Sequence, residues 1–156
     1  MTDKQQGMGL SDSLISQETD NGAQLLAQLE SQRKQLDEIA QSDELGRQRL
    51  QLSISETLVA LEKKEEAWKL ARSVFDYMVA NEQWQDAVEA CDVLYAADQP
   101  ASIAALGNGI WLAVTFPVDP QLSTNLLDHV IDETPKDSDG AAVAAAAAHY
   151  LAELRA

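Results

Sequence analysis

The chain of 156 residues has one cysteine, Cys91, and few residues that favour β-strands. One cysteine cannot form an intramolecular disulfide, and no cysteine pair has zinc-site spacing, so we expect a reducing compartment. The first residues lack the basic and then apolar regions of a secretory signal, and no apolar run reaches membrane-spanning length. The sequence therefore predicts a soluble cytoplasmic protein.

Basic residues are missing from a long stretch of the chain. No Lys or Arg occurs between residues 73 and 135, and the formal net charge of the whole chain is -15. Such a surface repels nucleic-acid phosphates and anionic lipids, because binding to either relies on Lys and Arg. Nucleic-acid and membrane partners are therefore not expected. The acidity has two compatible interpretations, which are solubility and recognition of a basic protein partner.

Motifs that carry catalysis are also missing. The sequence contains no Gly-rich phosphate loop, no nucleophile elbow and no His-x-x-x-His spacing, so we predict no catalytic residues and no cofactor. Cys91 lies on an apolar stripe, which indicates a packed core thiol. His129 precedes Asp132 and Glu133 by one helical turn, a geometry that can hold a metal, although a surface polar residue is the simpler interpretation.

Apolar residues at helical spacing predict an all-α fold of about seven helices. Residues 1–21 are polar and lack this periodicity, so we expect a disordered tail followed by a single helical domain at residues 22–156. The predicted helices cover residues 23–41, 43–63 and 65–80, and four more begin near residues 82, 100, 120 and 139. The narrow stripe of residues 23–41 suits one partner helix, either a neighbour in the chain or the same helix of a second copy.

The apolar stripes also predict which side chains are buried in the last four helices. Residues expected in the core include Trp84, Ala87, Cys91, Ile103, Leu106, Trp111, Val114, Leu126, Val143, Tyr150 and Leu154. Core packing is the first interpretation of Trp111, and a position lining a groove is the second.

Residues 68–100 resemble a tetratricopeptide repeat. Trp84, Ala87 and Cys91 lie where that family places an aromatic and small residues so that two helices cross closely, and Pro100 lies near the end. Ala67 and Ala101 are also 34 residues apart, the length of that repeat. The resemblance implies antiparallel helical hairpins stacked as a short solenoid, and a plain helical bundle is the alternative.

The resemblance favours a function in protein–protein interaction, as an adaptor, an accessory subunit or a chaperone with an acidic surface. The expected partner-binding residues are Asp76, Glu82, Asp86, Glu89 and Asp92, interpreted as a hairpin surface without a neutralising base, together with Trp111. Two alternatives stay open. One is a helical-bundle metal protein or enzyme that uses His129 and nearby carboxylates, and the other is a structural homo-oligomer, such as a homodimer through residues 23–41.

Overall fold

The computed structural model describes residues 7–136 and 138–155, and these residues form seven α-helices and no strand. The prediction of an all-α fold is therefore confirmed. The helices are α1 (Gly7–Glu38), α2 (Glu44–Ala60), α3 (Lys64–Ala80), α4 (Trp84–Ala96), α5 (Ser102–Thr115), α6 (Pro120–Glu133) and α7 (Asp139–Arg155). None of these helices is both long enough and apolar enough to cross a bilayer.

The first helix begins earlier than its apolar stripe predicts. Residues 7–21, which were expected in a disordered tail, belong to α1, whereas residues 1–6 lie outside the described residues. The side chains of residues 13–21 are exposed, so packing against other helices does not explain why α1 extends over them. A helix that is nucleated elsewhere adds residues at little cost, which is a sufficient physical reason.

The apolar stripe of α1 packs within the chain. Leu29 is buried in a cluster with Ile54, Leu58 and Ala67, which places this part of α1 against α2 and α3. Of the two partners considered for residues 23–41, the neighbour in the chain is the one observed. A homodimer stays a prediction, and it would have to use the exposed side chains of α1, such as Leu26.

The turns between α2, α3 and α4 have the same geometry. Glu62 and Glu82 each follow a helix with a positive φ, of 58° and 55°. In both turns the next residue donates its backbone N–H back across the helix end, Lys63 to the Leu58 carbonyl and Gln83 to the Met78 carbonyl, each at 2.9 Å. This is the Schellman arrangement. The chain therefore reverses direction in the same way twice, as a helical repeat requires.

The helices stack in the order of the chain. Each helix packs against the next, and the even-numbered helices also contact one another, α2 with α4 and α4 with α6. This arrangement is compatible with a helical repeat, in which each unit contacts its neighbours. The spacing of 34 residues between Ala67 and Ala101 does not mark equivalent positions, because Ala67 lies inside α3 whereas Ala101 precedes α5.

Small residues let α5 approach α4 closely. A Cβ atom on Gly109 would lie only 2.8 Å from the Cβ of Cys91 and 3.3 Å from the Cδ1 of Leu126. Cys91 is fully buried, as predicted, and burial raises the pKa of its thiol to about 12. The core between α4, α5 and α6 therefore depends on the absence of a side chain at Gly109.

Several large apolar side chains are exposed, contrary to the prediction. They are Ile103, Trp111 and Val114 on α5 and Val143, Tyr150 and Leu154 on α7. Both helices are apolar on more than one side, so periodicity alone does not decide which side faces inward. The sides that carry small residues are buried instead. These residues are Gly109 and Ala113 in α5 and Ala144 and Ala148 in α7. Close approach through small residues leaves the large side chains outside.

Candidate interaction face on helices α2, α4 and α6

Helix α4 is the centre of the molecule and leaves one narrow stripe partly open to solvent. It packs against α2, α3, α5 and α6, so most of its side chains are buried. The partly exposed stripe carries Glu89 and Asp92, and it lies between α2 and α6. We define the acidic face as Glu56 of α2, Glu89 and Asp92 of α4, and His129 and Glu133 of α6.

Polar bonds connect α4 to α6 across this face. The Nε2 atom of His129 lies 3.0 Å from the Oδ1 atom of Asp92, and the Tyr95 hydroxyl donates to the Oε1 atom of Glu133 at 2.7 Å. The His129 and Tyr95 rings are 4.6 Å apart between centroids. The bond to Glu133 raises the pKa of Tyr95 to about 12, with burial as a further cause. Both acidic side chains are thus held in fixed positions.

A charged pair connects α2 to α4 with the same spacing along the chain as one of the bonds between α4 and α6. Arg49 donates to both carboxylate oxygens of Asp86, at 3.0 Å from Nε to Oδ1 and 3.0 Å from Nη2 to Oδ2. Arg49 and Asp86 are 37 residues apart in the chain, as are Asp92 and His129. One separation therefore relates the polar contacts of α2 with α4 and of α4 with α6, which is a second sign of repeated packing.

Carboxylates crowd together at the centre of the acidic face. Partial burial raises the pKa of Glu56, and the charges of Glu89 and Asp92 raise this pKa further. These side chains come from two helices, so the repulsion between them is fixed by the packing of α2 on α4. A cation placed among the three carboxylates would lower this electrostatic cost.

The five acidic residues predicted to bind a partner separate into two groups. Glu89 and Asp92 lie on the acidic face, with Asp86 beside it. Asp76 lies on α3, and Glu82 lies in the turn after it, so neither belongs to this face. The prediction joined them because they are close in sequence, whereas neighbouring helices of a hairpin direct their exposed sides differently.

The expectation that this surface has no neutralising base is wrong. Asp86 is paired with Arg49, and its side chain is only 12% exposed. Asp76 is paired with Arg72, whose Nη2 lies 3.3 Å from Oδ1. Both arginines precede the stretch without basic residues and reach into it, Arg72 from the adjacent position on α3 and Arg49 from α2. A stretch of sequence without basic residues can therefore still be neutralised by basic residues that pack against it in the structure.

Three residues of the acidic face were not predicted as partner-binding residues, namely Glu56, His129 and Glu133. His129 was considered as a metal ligand with Asp132 and Glu133, but its contact is with Asp92 of another helix. Within the described residues, no group of three or more His, Cys, Asp or Glu side chains is arranged to hold a metal ion. His129 lies 37 residues after Asp92, the separation that also relates Arg49 to Asp86, whereas Glu133 lies 38 residues after Tyr95 and no such spacing marks Glu56.

An aromatic cluster lies near one end of the acidic face. The Trp84 and Phe116 rings stack with centroids 3.8 Å apart, and Trp111 meets Phe116 edge-on at 6.3 Å. Gln85 connects this cluster to the acidic face. Its Oε1 atom accepts from the backbone N–H of Asp119 at 2.8 Å, and its Nε2 atom donates to Glu89 at 3.0 Å.

Comparisons with known proteins returned no match to a protein-family model, to a curated protein or to a solved structure. The fold and the face therefore define a class only, an all-α protein of stacked helices with an acidic face formed by its even-numbered helices.

Proposed function

We propose that this chain is a tetratricopeptide-like adaptor, accessory subunit or chaperone that binds a basic segment of another protein on the acidic face. The observation that carries the proposal is that Glu56 of α2 lies near Glu89 and Asp92 of α4 where these two helices pack, so that Glu89 and Asp92 raise the pKa of Glu56. A cytoplasmic location belongs to the same proposal.

The geometry supports binding because the carboxylates are held in place before a partner arrives. Asp92 is held by His129, and Gln85 holds Glu89. Charged groups that need little ordering lose less conformational entropy on binding, and an acidic face also accelerates encounter with a cationic partner. These hydrogen bonds orient the carboxylates but do not cover the acidic face.

The proposal is tested by neutralising the face without changing its shape. The double variant Glu56→Gln with Glu89→Gln removes two charges from the face, and the matched control Asp76→Asn with Glu82→Gln removes two charges elsewhere. Each protein is used to capture partners from native lysate near physiological salt, with mass spectrometry as the readout. We expect the face variant to lose a partner that the wild type and the control both retain.

Salt dependence adds a second criterion. Capture by the wild type should weaken as salt approaches several hundred millimolar, where the Debye length falls to a few ångströms. Equal capture by the wild type and the face variant at every salt concentration would contradict the proposal. The acidity would then serve solubility alone.

A further inference from the structure

Helix α5 presents an apolar surface that nothing in the described chain covers. Its 14 residues include no charged side chain. Ile103, Trp111 and Val114 are exposed by 57%, 61% and 50%, and they share one side of the helix with Gly107. We define the α5 outer face as these four residues. Exposed apolar patches that lie together, rather than singly, are typical of interaction sites.

No contact within the described residues explains why position 107 is a glycine. It lies inside the helix, where glycine is unfavourable relative to alanine, and a Cβ atom added there would meet nothing within 4 Å. Gly109, two residues later, is explained by its contact with Cys91. A glycine on an exposed helical side allows the backbone of another molecule to come close. Gly107 therefore leaves room for the backbone of a partner to approach α5 at this point.

Trp111 is positioned before any partner arrives. Its ring rests edge-on against Phe116, which is itself stacked on Trp84 at the start of α4. An exposed tryptophan with a supported ring offers a large contact area with little loss of side-chain freedom, and tryptophan is enriched among the residues that dominate binding energy. The α5 outer face thus has an anchor at Trp111 and an open position at Gly107.

Charge selects the occupant of this face. No Lys or Arg occurs between residues 73 and 135, so α4, α5 and α6 contribute no basic group, and α4 and α6 carry carboxylates. A second copy of the chain carries the same formal charge of -15 and is repelled at long range. A basic partner is attracted. The hydrogen bonds of Gln85 also hold the loop between α5 and α6, which includes Phe116, against α4.

We propose that the α5 outer face docks an amphipathic helix of a partner protein, with apolar residues against Trp111 and Gly107 and basic residues along its flank. The basic flank rests on the proposed function of the acidic face. The apolar anchor is independent of it and adds a second contact, which makes the partner a basic amphipathic helix rather than a merely basic segment.

The test uses two fluorescent peptides with the full chain. One is an amphipathic helical peptide of Leu and Lys, and the other has the same lysines with Ser in place of Leu. Fluorescence anisotropy near physiological salt gives the affinity of each peptide for the wild type and for the variants Trp111→Ser and Gly107→Leu. We expect both variants to weaken binding of the Leu and Lys peptide by about tenfold or more and to leave binding of the Ser and Lys peptide unchanged.

Two controls separate this proposal from the proposed function. Asn108→Leu adds an apolar side chain to α5 beside the face and should leave both affinities unchanged. Glu56→Gln with Glu89→Gln should weaken both peptides alike, because it acts only through charge. If that double variant has no effect while Trp111→Ser does, the acidic face fails and the apolar anchor stands.

Three results would overturn the proposal. The first is that both α5 variants bind the Leu and Lys peptide as tightly as the wild type does. The second is that the wild type binds the two peptides with equal affinity. The third comes from sedimentation of the chain alone. If the wild type is a dimer that Trp111→Ser and Gly107→Leu convert to monomers, the occupant is a second copy and not a basic helix.

Discussion

Gly107 and Gly109 lie two residues apart in α5 and have opposite surroundings. A Cβ atom at Gly109 would press on Cys91 and Leu126, whereas one at Gly107 would meet nothing within 4 Å. We expect Gly109→Ala to destabilise the protein by about 1–3 kcal/mol through overpacking. Gly107→Ala should stabilise it by up to about 1 kcal/mol, because alanine favours the helix. Urea unfolding followed by helical circular dichroism measures both changes.

The same pair of variants checks the packing of α5. If Gly109→Ala is neutral, the close contact between α4 and α5 at Cys91 is not present. If Gly107→Ala is as destabilising as Gly109→Ala, the outer side of α5 is covered within the chain, and the surface around Trp111 is not available to a partner.

Glu56 makes stability depend on pH in a defined direction. Its folded-state pKa is raised above the ordinary value of 4.5 by burial and by Glu89 and Asp92, so the folded protein holds the proton more tightly than the unfolded chain. Stability from this group is therefore present below pH 4.5 and is lost as pH rises through the folded pKa. Glu56→Gln removes the cost of the charge and should raise the melting temperature slightly at pH 7.

The pH profile distinguishes this cause from a change in packing. At a pH below 4.5 Glu56 is protonated in both states, so the wild type and Glu56→Gln should melt alike. Glu30 of α1 is exposed and offers a control, since Glu30→Gln should have no effect at either pH. A stabilising effect of Glu56→Gln that is constant across the range would rule out electrostatic crowding as its origin.

At the scale of the helices, the pair of Arg49 and Asp86 connects α2 to α4. The Asp86 side chain is only 12% exposed, whereas that of Arg49 is 53% exposed. Removing Arg49 leaves a nearly buried carboxylate without its partner, so we expect Arg49→Met to destabilise the protein by about 1–3 kcal/mol. Chemical unfolding, fitted for the free energy in water, measures this cost.

A double variant separates the pair from the packing around it. Arg49→Met combined with Asp86→Leu should recover much of the lost stability, because an apolar pair replaces a desolvated charge. Asp86→Lys should destabilise the protein, since it brings a lysine next to Arg49 in place of the carboxylate. Equal stability of Arg49→Met and the wild type would show that the pair contributes nothing.

Helix positions were well predicted from the sequence, whereas the orientation of α5 was not. The apolar stripes and the breaks at Pro117 and Pro120 correctly placed the start of α6, where Asp119 accepts from the backbone N–H groups of Gln121 and Leu122. In α5 almost every side is apolar or small, so no stripe is distinct. Steric fit against Cys91 then decides which side is buried, and such a fit is not visible along the chain.

At the scale of the whole molecule, the all-α class followed from composition and periodicity, while the acidic face did not. Its members lie on α2, α4 and α6, and one intervening helix separates each of these from the next along the chain. The sequence suggested an acidic surface on one hairpin, which includes Asp76 and Glu82. The packing of α2 on α4 instead brings Glu56 close enough to Glu89 and Asp92 for their charges to raise its pKa, and this proximity depends on how the two helices pack.

If the face formed by α2, α4 and α6 contacts a basic partner, as we propose, site-specific photo-crosslinking should capture that partner. A photoreactive amino acid replaces Glu89 on the acidic face or, in a matched protein, Asp76 on α3. After irradiation in native lysate, we expect a partner adduct from position 89 that high salt abolishes, and no such adduct from position 76. Adducts of equal yield from both positions, or from position 76 alone, would show that the acidic face is not the interface.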